Sequence, residues 1–141
     1  GIVDVNDLRQ AFELGADGVQ MGIRFAASEE ANGAPELKDY YLKAKKEDIV
    51  LIPSPVGLPG RAIKNEFTDK VLAGKIKPPQ TCEGCLKKCK KNFCIMQALI
   101  SAQQGNIKEG LIFAGEYVEK ITEILPAGKI IENLVRQYQK I

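Results

Sequence analysis

Gly15-Ala16-Asp17-Gly18-Val19-Gln20-Met21-Gly22-Ile23-Arg24-Phe25 is the stretch on which the fold turns. Gly15 supplies a helix stop, because glycine tolerates the left-handed backbone common just past a helix end. Upstream, Leu8, Ala11, Phe12 and Leu14 keep near-helical spacing over residues 7–14, with Asp4 or Asn6 placed to cap them. Downstream, residues 18–22 read as a short strand, and residues 22–26 leave it as a loop. The chain opens on a further strand-like run, Gly1-Ile2-Val3. Strand, short loop, helix, short loop, strand is the grammar of parallel α/β proteins. An opening without Met, straight into such a run, reads as a fragment or a processed chain.

The composition narrows what such a chain does. Its 141 residues, 45% apolar and 27% charged, fit one ordinary globular domain and exclude a disordered tail or a collagen-like chain. There is no histidine, so no Ser-His-Asp triad, Cys-His pair or histidine metal site can be assembled within it. A complete eightfold β/α barrel, at ~250 residues, does not fit either. Twenty basic against eighteen acidic side chains leave +2, too little to imply nucleic acid. No apolar run approaches the ~20 residues of a membrane span, and no signal peptide is visible, so the cytoplasm is the expected compartment.

Beyond the opening unit, residues 35–46 read as a helix with Pro35 at its tolerated first position and Tyr40 and Tyr41 on a packing face. Residues 48–53 read as a strand, and the breaker-rich 53–60 as loop. Residues 61–65 fit a strand or a helix start, and 66–74 a helix. A helix over 93–104 is stopped by Gly105, residues 110–115 form a loop or short apolar element, and helices are expected over 116–125 and 129–141.

Gly1 and Gly22 lie at predicted strand ends, where the absence of a Cβ lets backbone N–H groups approach an anion. A nearby helix N-terminus adds a favourable dipole. On spacing alone they equally serve as tight turns. The segment GADGVQMGIRFAASEEA at 15–31, together with GRAIKNEF at 60–67 and the opening Gly1-Ile2-Val3-Asp4, resembles the nitronate monooxygenase (2-nitropropane dioxygenase) family. That pattern is shared with flavin-dependent enoyl-acyl-carrier-protein reductases. The resemblance runs through essentially the whole chain.

What the resemblance implies is an α/β fold: the C-terminal part of an FMN-binding (β/α)8 TIM barrel with a mainly helical domain inserted after the eighth strand. Residues 1–27 would be the seventh helix and eighth strand, 28–110 the inserted domain, and 111–141 the closing helices. Gly1 and the backbone at Gly22 and Ile23 would hold the FMN phosphate. The family usually has Thr or Ser where this chain has Ile23, so a hydroxyl donor is lost, worth ~1.5–3 kcal/mol if nothing replaces it. The family's catalytic histidine and most isoalloxazine contacts belong to strands outside this chain. The implied substrate of the whole protein is a small nitronate or an enoyl thioester. The chain alone is expected to be inactive, and to associate as a homo-oligomer or with the rest of a barrel.

Cys82, Cys85, Cys89 and Cys94 form C-x2-C-x3-C-x4-C, four thiolates that suit tetrahedral Zn²⁺ or an iron–sulfur cluster. Free cysteines in a reducing compartment, or local disulfides, fit the same spacing. Lys75, Lys77, Lys87, Lys88, Lys90 and Lys91 against Glu83 give a local charge of +5 that would offset a thiolate-ligated metal. The lysines also suit an acidic partner or a plain solvated surface. Arg61 is a candidate for an anionic substrate or a plain exposed arginine.

Overall fold

A computed structural model describes residues 1–140. Asp4 caps helix α1 (Val5–Glu13): its carboxylate accepts from Asp7 N–H, and Asp7 in turn accepts from Asp4 N–H. Gly15, at φ +93°, ends the turn as anticipated. Neither of the strands read on either side of α1 is formed. Residues 1–3 and 18–22 are irregular, and no backbone hydrogen bond is recorded for residues 17–21. A strand exists only through its neighbours' N–H and C=O groups; among the described residues none lies alongside this one. The predicted loop over 22–26 is instead the four-residue helix α2 (Ile23–Ala26), started at Gly22.

Helix α3 (Pro35–Lys43) stops short of the predicted residue 46, because Ala44 turns extended and a 3-10 turn (Lys46–Asp48) follows. It leads into β1 (Ile49–Ile52), which pairs antiparallel with β2 (Gly60–Ile63) in register Ile49 to Ile63 and Ile52 to Gly60. The strand alternative for 61–65 is therefore the one realised, up to Ile63. Asn65 caps α4 (Glu66–Leu72) through a capping box with Thr68. An irregular stretch carrying the cysteines leads to α5 (Ile95–Gln103). Residues 111–114 then run beside β2, with Ile63 N–H donating to Ile112 O at 2.9 Å and Ala114 N–H to Arg61 O at 3.2 Å. The predicted element at 110–115 is thus a short apolar edge, with Leu111 and Ile112 buried.

The expected helix over 116–125 is not formed. Only a 3-10 turn (Val118–Lys120) occurs there, although Val118 and Ile121 are buried at helical spacing. The chain turns extended at Ile121, and its end is held by distant partners: Glu123 O accepts from Arg24 Nη1, and Leu125 O from Glu29 N–H. Tertiary bonding overrides the local pattern. Helix α6 (Ala127–Gln139) closes the described chain, beginning slightly earlier than read; Ile141 lies outside the described residues. Glu30 caps it from a distance, both carboxylate oxygens accepting from Ala127 N–H at 2.8 and 3.0 Å.

Two apolar clusters hold these elements. One gathers Ile52, Ala62, Phe67, Val71, Phe93 and Leu111 around the hairpin. The larger takes Val3, Ala27, Tyr41, Ile63, Ile112 and Ile121 from all three sequence segments, with Ile23 packed against it. Tyr41 is buried as its helix face predicted, while Tyr40 reaches out to donate its hydroxyl to Lys64 O at 2.6 Å. Among the described residues, no helix is long and apolar enough to cross a membrane.

Candidate functional site

The segment that decides the fold is also the one the fold leaves open. Residues 13–20 are all exposed, and the chain then turns at Gly22 into α2. The first backbone donors of that helix, Ile23 and Arg24 N–H, have no acceptor among the described residues, whereas Phe25 and Ala26 N–H donate back to Gly22 O. Free donors at the start of a helical turn carry the positive end of its dipoles. At Gly22 nothing stands within 4 Å of where a Cβ would project, and the same holds at Gly1. Val3 belongs to the larger cluster, and Ile23 packs against that same cluster.

Ile23 resolves part of its own departure from the expected pattern. Its side chain packs on the core, which leaves its backbone N–H, without an acceptor among the described residues, as the group it has to offer an anion. Arg24, next in sequence, does not serve as an anion ligand. Its guanidinium is buried, donating to Ala27 O at 3.4 Å and Glu123 O at 3.1 Å. Burial pulls its pKa below the usual arginine value, with the charge of Glu123 opposing that shift. An arginine stays charged regardless, so it acts as a fixed tie between α2 and residues 123–125. Nothing local in the sequence announced this role, since the acceptor lies 99 residues away.

A second tie sits beneath α1. Lys120 Nζ lies 3.0 Å from Asp4 Oδ2 and 2.6 Å from Asp7 Oδ1, and 5.1 Å from the Tyr117 ring centroid. Burial pushes the Asp7 carboxyl up, but hydrogen bonds from Lys120, Val3 N–H and Asp4 N–H outweigh it and leave the group below its ordinary value. The hydrogen bond to Asp7 in turn raises Lys120. The network holds the N-terminal segment, and so Gly1, against the C-terminal half.

The four cysteines are free thiols; Cys82 and Cys85 are exposed, Cys89 and Cys94 half-buried. Cys82 and Cys89 line one cavity, and Cys94 lines another with Lys77 and Pro79. Among the described residues, no three Cys, Asp or Glu side chains are grouped as a metal site. Arg61 is exposed on β2 and enters none of the ion pairs found.

Residues 1–137 match the nitronate monooxygenase family. A probable nitronate monooxygenase of Staphylococcus saprophyticus is 29% identical over 147 residues, covering 100% of this chain and 38% of that protein. One from Staphylococcus aureus (strain Newman) is 34% identical over 71 residues, 50% of this chain and 20% of its own length. Among solved structures, FabK from Thermotoga maritima superposes with a TM-score of 0.81 at 28% identity, over 99% of this chain and 42% of that one. Nitroalkane oxidase from Streptomyces ansochromogenes shares the fold at a TM-score of 0.74 and 18% identity, over 99% and 38%. The chain belongs to the nitronate monooxygenase family, and its fold is that of the C-terminal part of the family's TIM barrel. It spans 38% of the length of the Staphylococcus saprophyticus relative.

Proposed function

We propose that this chain is the C-terminal part of an FMN-dependent oxidoreductase that oxidises alkyl nitronates with molecular oxygen. The observation that carries the reading is the open turn at Gly22. Ile23 and Arg24 N–H have no acceptor among the described residues, and nothing stands within 4 Å of where a Cβ on Gly22 would project. Those residues fit the phosphate end of a flavin nucleotide. Ile23 and Arg24 N–H would donate to it, and Gly1 and Gly22 would let it approach without a Cβ in the way. The hydroxyl lost at Ile23 is replaced by no side chain, so the phosphate is held from this chain by backbone alone. When bound, the flavin supplies the redox chemistry, accepting electrons from a carbanionic substrate and passing them to oxygen. This chain's part is to bind and orient; on its own it is expected not to turn over substrate.

A second reading, an enoyl-thioester reductase using NAD(P)H, is supported by the likeness to FabK at a TM-score of 0.81 and 28% identity. Steady-state assays of the full-length protein with an alkyl nitronate and oxygen, against an enoyl thioester and NAD(P)H, separate the two. Turnover of the nitronate alone supports the first reading. Turnover of the enoyl thioester alone replaces it with the second, and inactivity on both with flavin bound would sink the pair.

A further inference from the structure

We infer that Cys82, Cys85, Cys89 and Cys94 together hold one thiolate-ligated metal centre that staples the irregular segment between α4 and α5. Residues 75–94 contain no helix or strand. For residues 76–93 a single backbone hydrogen bond to the rest of the protein is recorded, Lys90 N–H to Pro55 O at 3.0 Å. A structureless run of this length inside a domain is uncommon unless something else fixes it. Apolar anchoring is sparse: Phe93 is buried, but Ile76 and Leu86 are only half-buried. One acceptor, Asn92 Oδ1, is buried with no donor. A cross-link is the usual substitute for a missing core.

Three features favour metal over disulfides. The first is turn geometry. Two residues after Cys82 the chain passes through Gly84 at φ +65°, and two residues after Cys89 through Lys91 at φ +53°. Lys91 is the one non-glycine residue of positive φ among those described. In the second turn this conformation aims Lys91 N–H back at Cys89 Sγ, at 3.4 Å. Such a donor favours sulfur carrying negative charge, which a disulfide does not. The second feature is charge. Lys75, Lys77, Lys87, Lys88, Lys90 and Lys91 face only Glu83 within this stretch, and none of them is in an ion pair among the described residues. Four of them flank Cys89 directly. Four thiolates around a divalent cation carry a net negative charge that relieves this repulsion, whereas neutral disulfides leave it in place.

The third feature is closure. Lys77 and Pro79 line the cavity that holds Cys94, so the segment returns on itself at the start of α5. Within it, Cys82 and Cys89 already share a second cavity. Cys94 precedes the first residue of α5 without a side-chain cap bond of its own. No three of the sulfurs are grouped among the described residues; a metal held by all four would gather them and couple its uptake to ordering of the segment.

The test uses the full-length protein, without a histidine tag, purified anaerobically from medium supplied with zinc and iron. About one zinc, or about four iron with matching acid-labile sulfide, is expected per chain. Iron–sulfur absorption in the visible range, distinguishable from flavin bands after flavin removal, separates the two forms of the centre. Each of Cys82→Ser, Cys85→Ser, Cys89→Ser and Cys94→Ser should lower metal retention ~10-fold or more during dialysis against a chelator. Thiol titration should find the four cysteines shielded in the native protein and reactive after chelation. That comparison reads the centre without any variant that fails to fold. Four thiols reacting at once in native protein lacking metal overturns the proposal. So does a disulfide found by mass spectrometry in anaerobic protein, or undiminished metal in any of the serine variants.

Discussion

At the scale of single residues, Gly22 and Lys120 separate the binding role of the site from its support. Gly22 has φ −102° and ψ −77°, a backbone open to any residue, and free space where a side chain would project. Gly22→Asp should therefore fold normally while placing a carboxylate where the phosphate is proposed to lie. FMN affinity of the full-length protein is expected to fall at least ~10-fold, equivalent to about 1.4 kcal/mol, with its thermal midpoint in the flavin-free form unchanged. Fluorescence titration with FMN checks the first and a melting curve the second; unchanged affinity would remove Gly22 from the site. Lys120 works differently. Because Asp7 titrates below its unfolded value, its contribution is complete above ~3.9 and is lost as pH falls through the folded pKa. Because Lys120 titrates above its unfolded value, its contribution is complete below ~10.4 and is lost as pH rises through the folded pKa. Lys120→Met should cost about 1 kcal/mol near neutrality, and the gap to wild type should close at both extremes. Denaturant midpoints measured across pH report this, and a gap constant with pH would assign the loss to packing alone.

At the scale of elements, α5 and the edge after it meet so closely that glycine is required. A Cβ on Gly110 would stand 2.6 Å from Ala102 Cα and N and 2.7 Å from its Cβ, all atoms of a helix that cannot yield. Leu111 N–H donates to Ala98 O one residue on, which fixes the approach. Gly110→Ala should destabilise by about 1–3 kcal/mol. Gly60→Ala should cost less, because the nearest atom at 2.6 Å is Cε1 of Phe113, a half-exposed ring that can swing aside. Comparing the two by denaturant melts checks the difference, and equal losses would deny it. Elements whose determinants are local were legible in the sequence. Asp4 and Gly15 bracket α1, Pro35 opens α3, and Gly105 follows α5. Elements whose determinants are distant were not. Residues 18–22 carry strand residues but lack a ladder, and 116–125 carry helical spacing but turn extended at Ile121 and are tied by Glu123 O and Leu125 O to Arg24 and Glu29. The proposed site divides the same way: Gly1, Gly22 and Ile23 are proposed from a motif, whereas the tie made by Arg24 depends on a carbonyl 99 residues away.

At the scale of the whole molecule, the surfaces left uncovered follow from how little of the family's length this chain spans. Residues 13–20 are exposed throughout, Leu14 among them 82% exposed, and no backbone hydrogen bond is recorded for 17–20. On α6, Ile130 is buried, but Ile131, Val135 and Tyr138 form a stripe at helical spacing that is only half covered. Tyr138 has one aromatic neighbour, Phe12 of α1, edge-on at 5.6 Å. An exposed segment without backbone partners and a half-covered apolar helix face each favour association. Chain 1–141 alone should therefore exceed its monomer mass in light scattering at tens of micromolar. Ile131→Glu with Val135→Glu should shift it toward monomer, because the charges fall on solvent-facing positions of the isolated chain. In the full-length protein the same pair should instead destabilise, by about 2–4 kcal/mol, because there the stripe would be buried against the rest of the barrel. The opposite signs in the two contexts are the point of the experiment. A pair harmless in both would mean that the α6 stripe faces solvent in the complete protein, and that the barrel closes on some other surface of this chain.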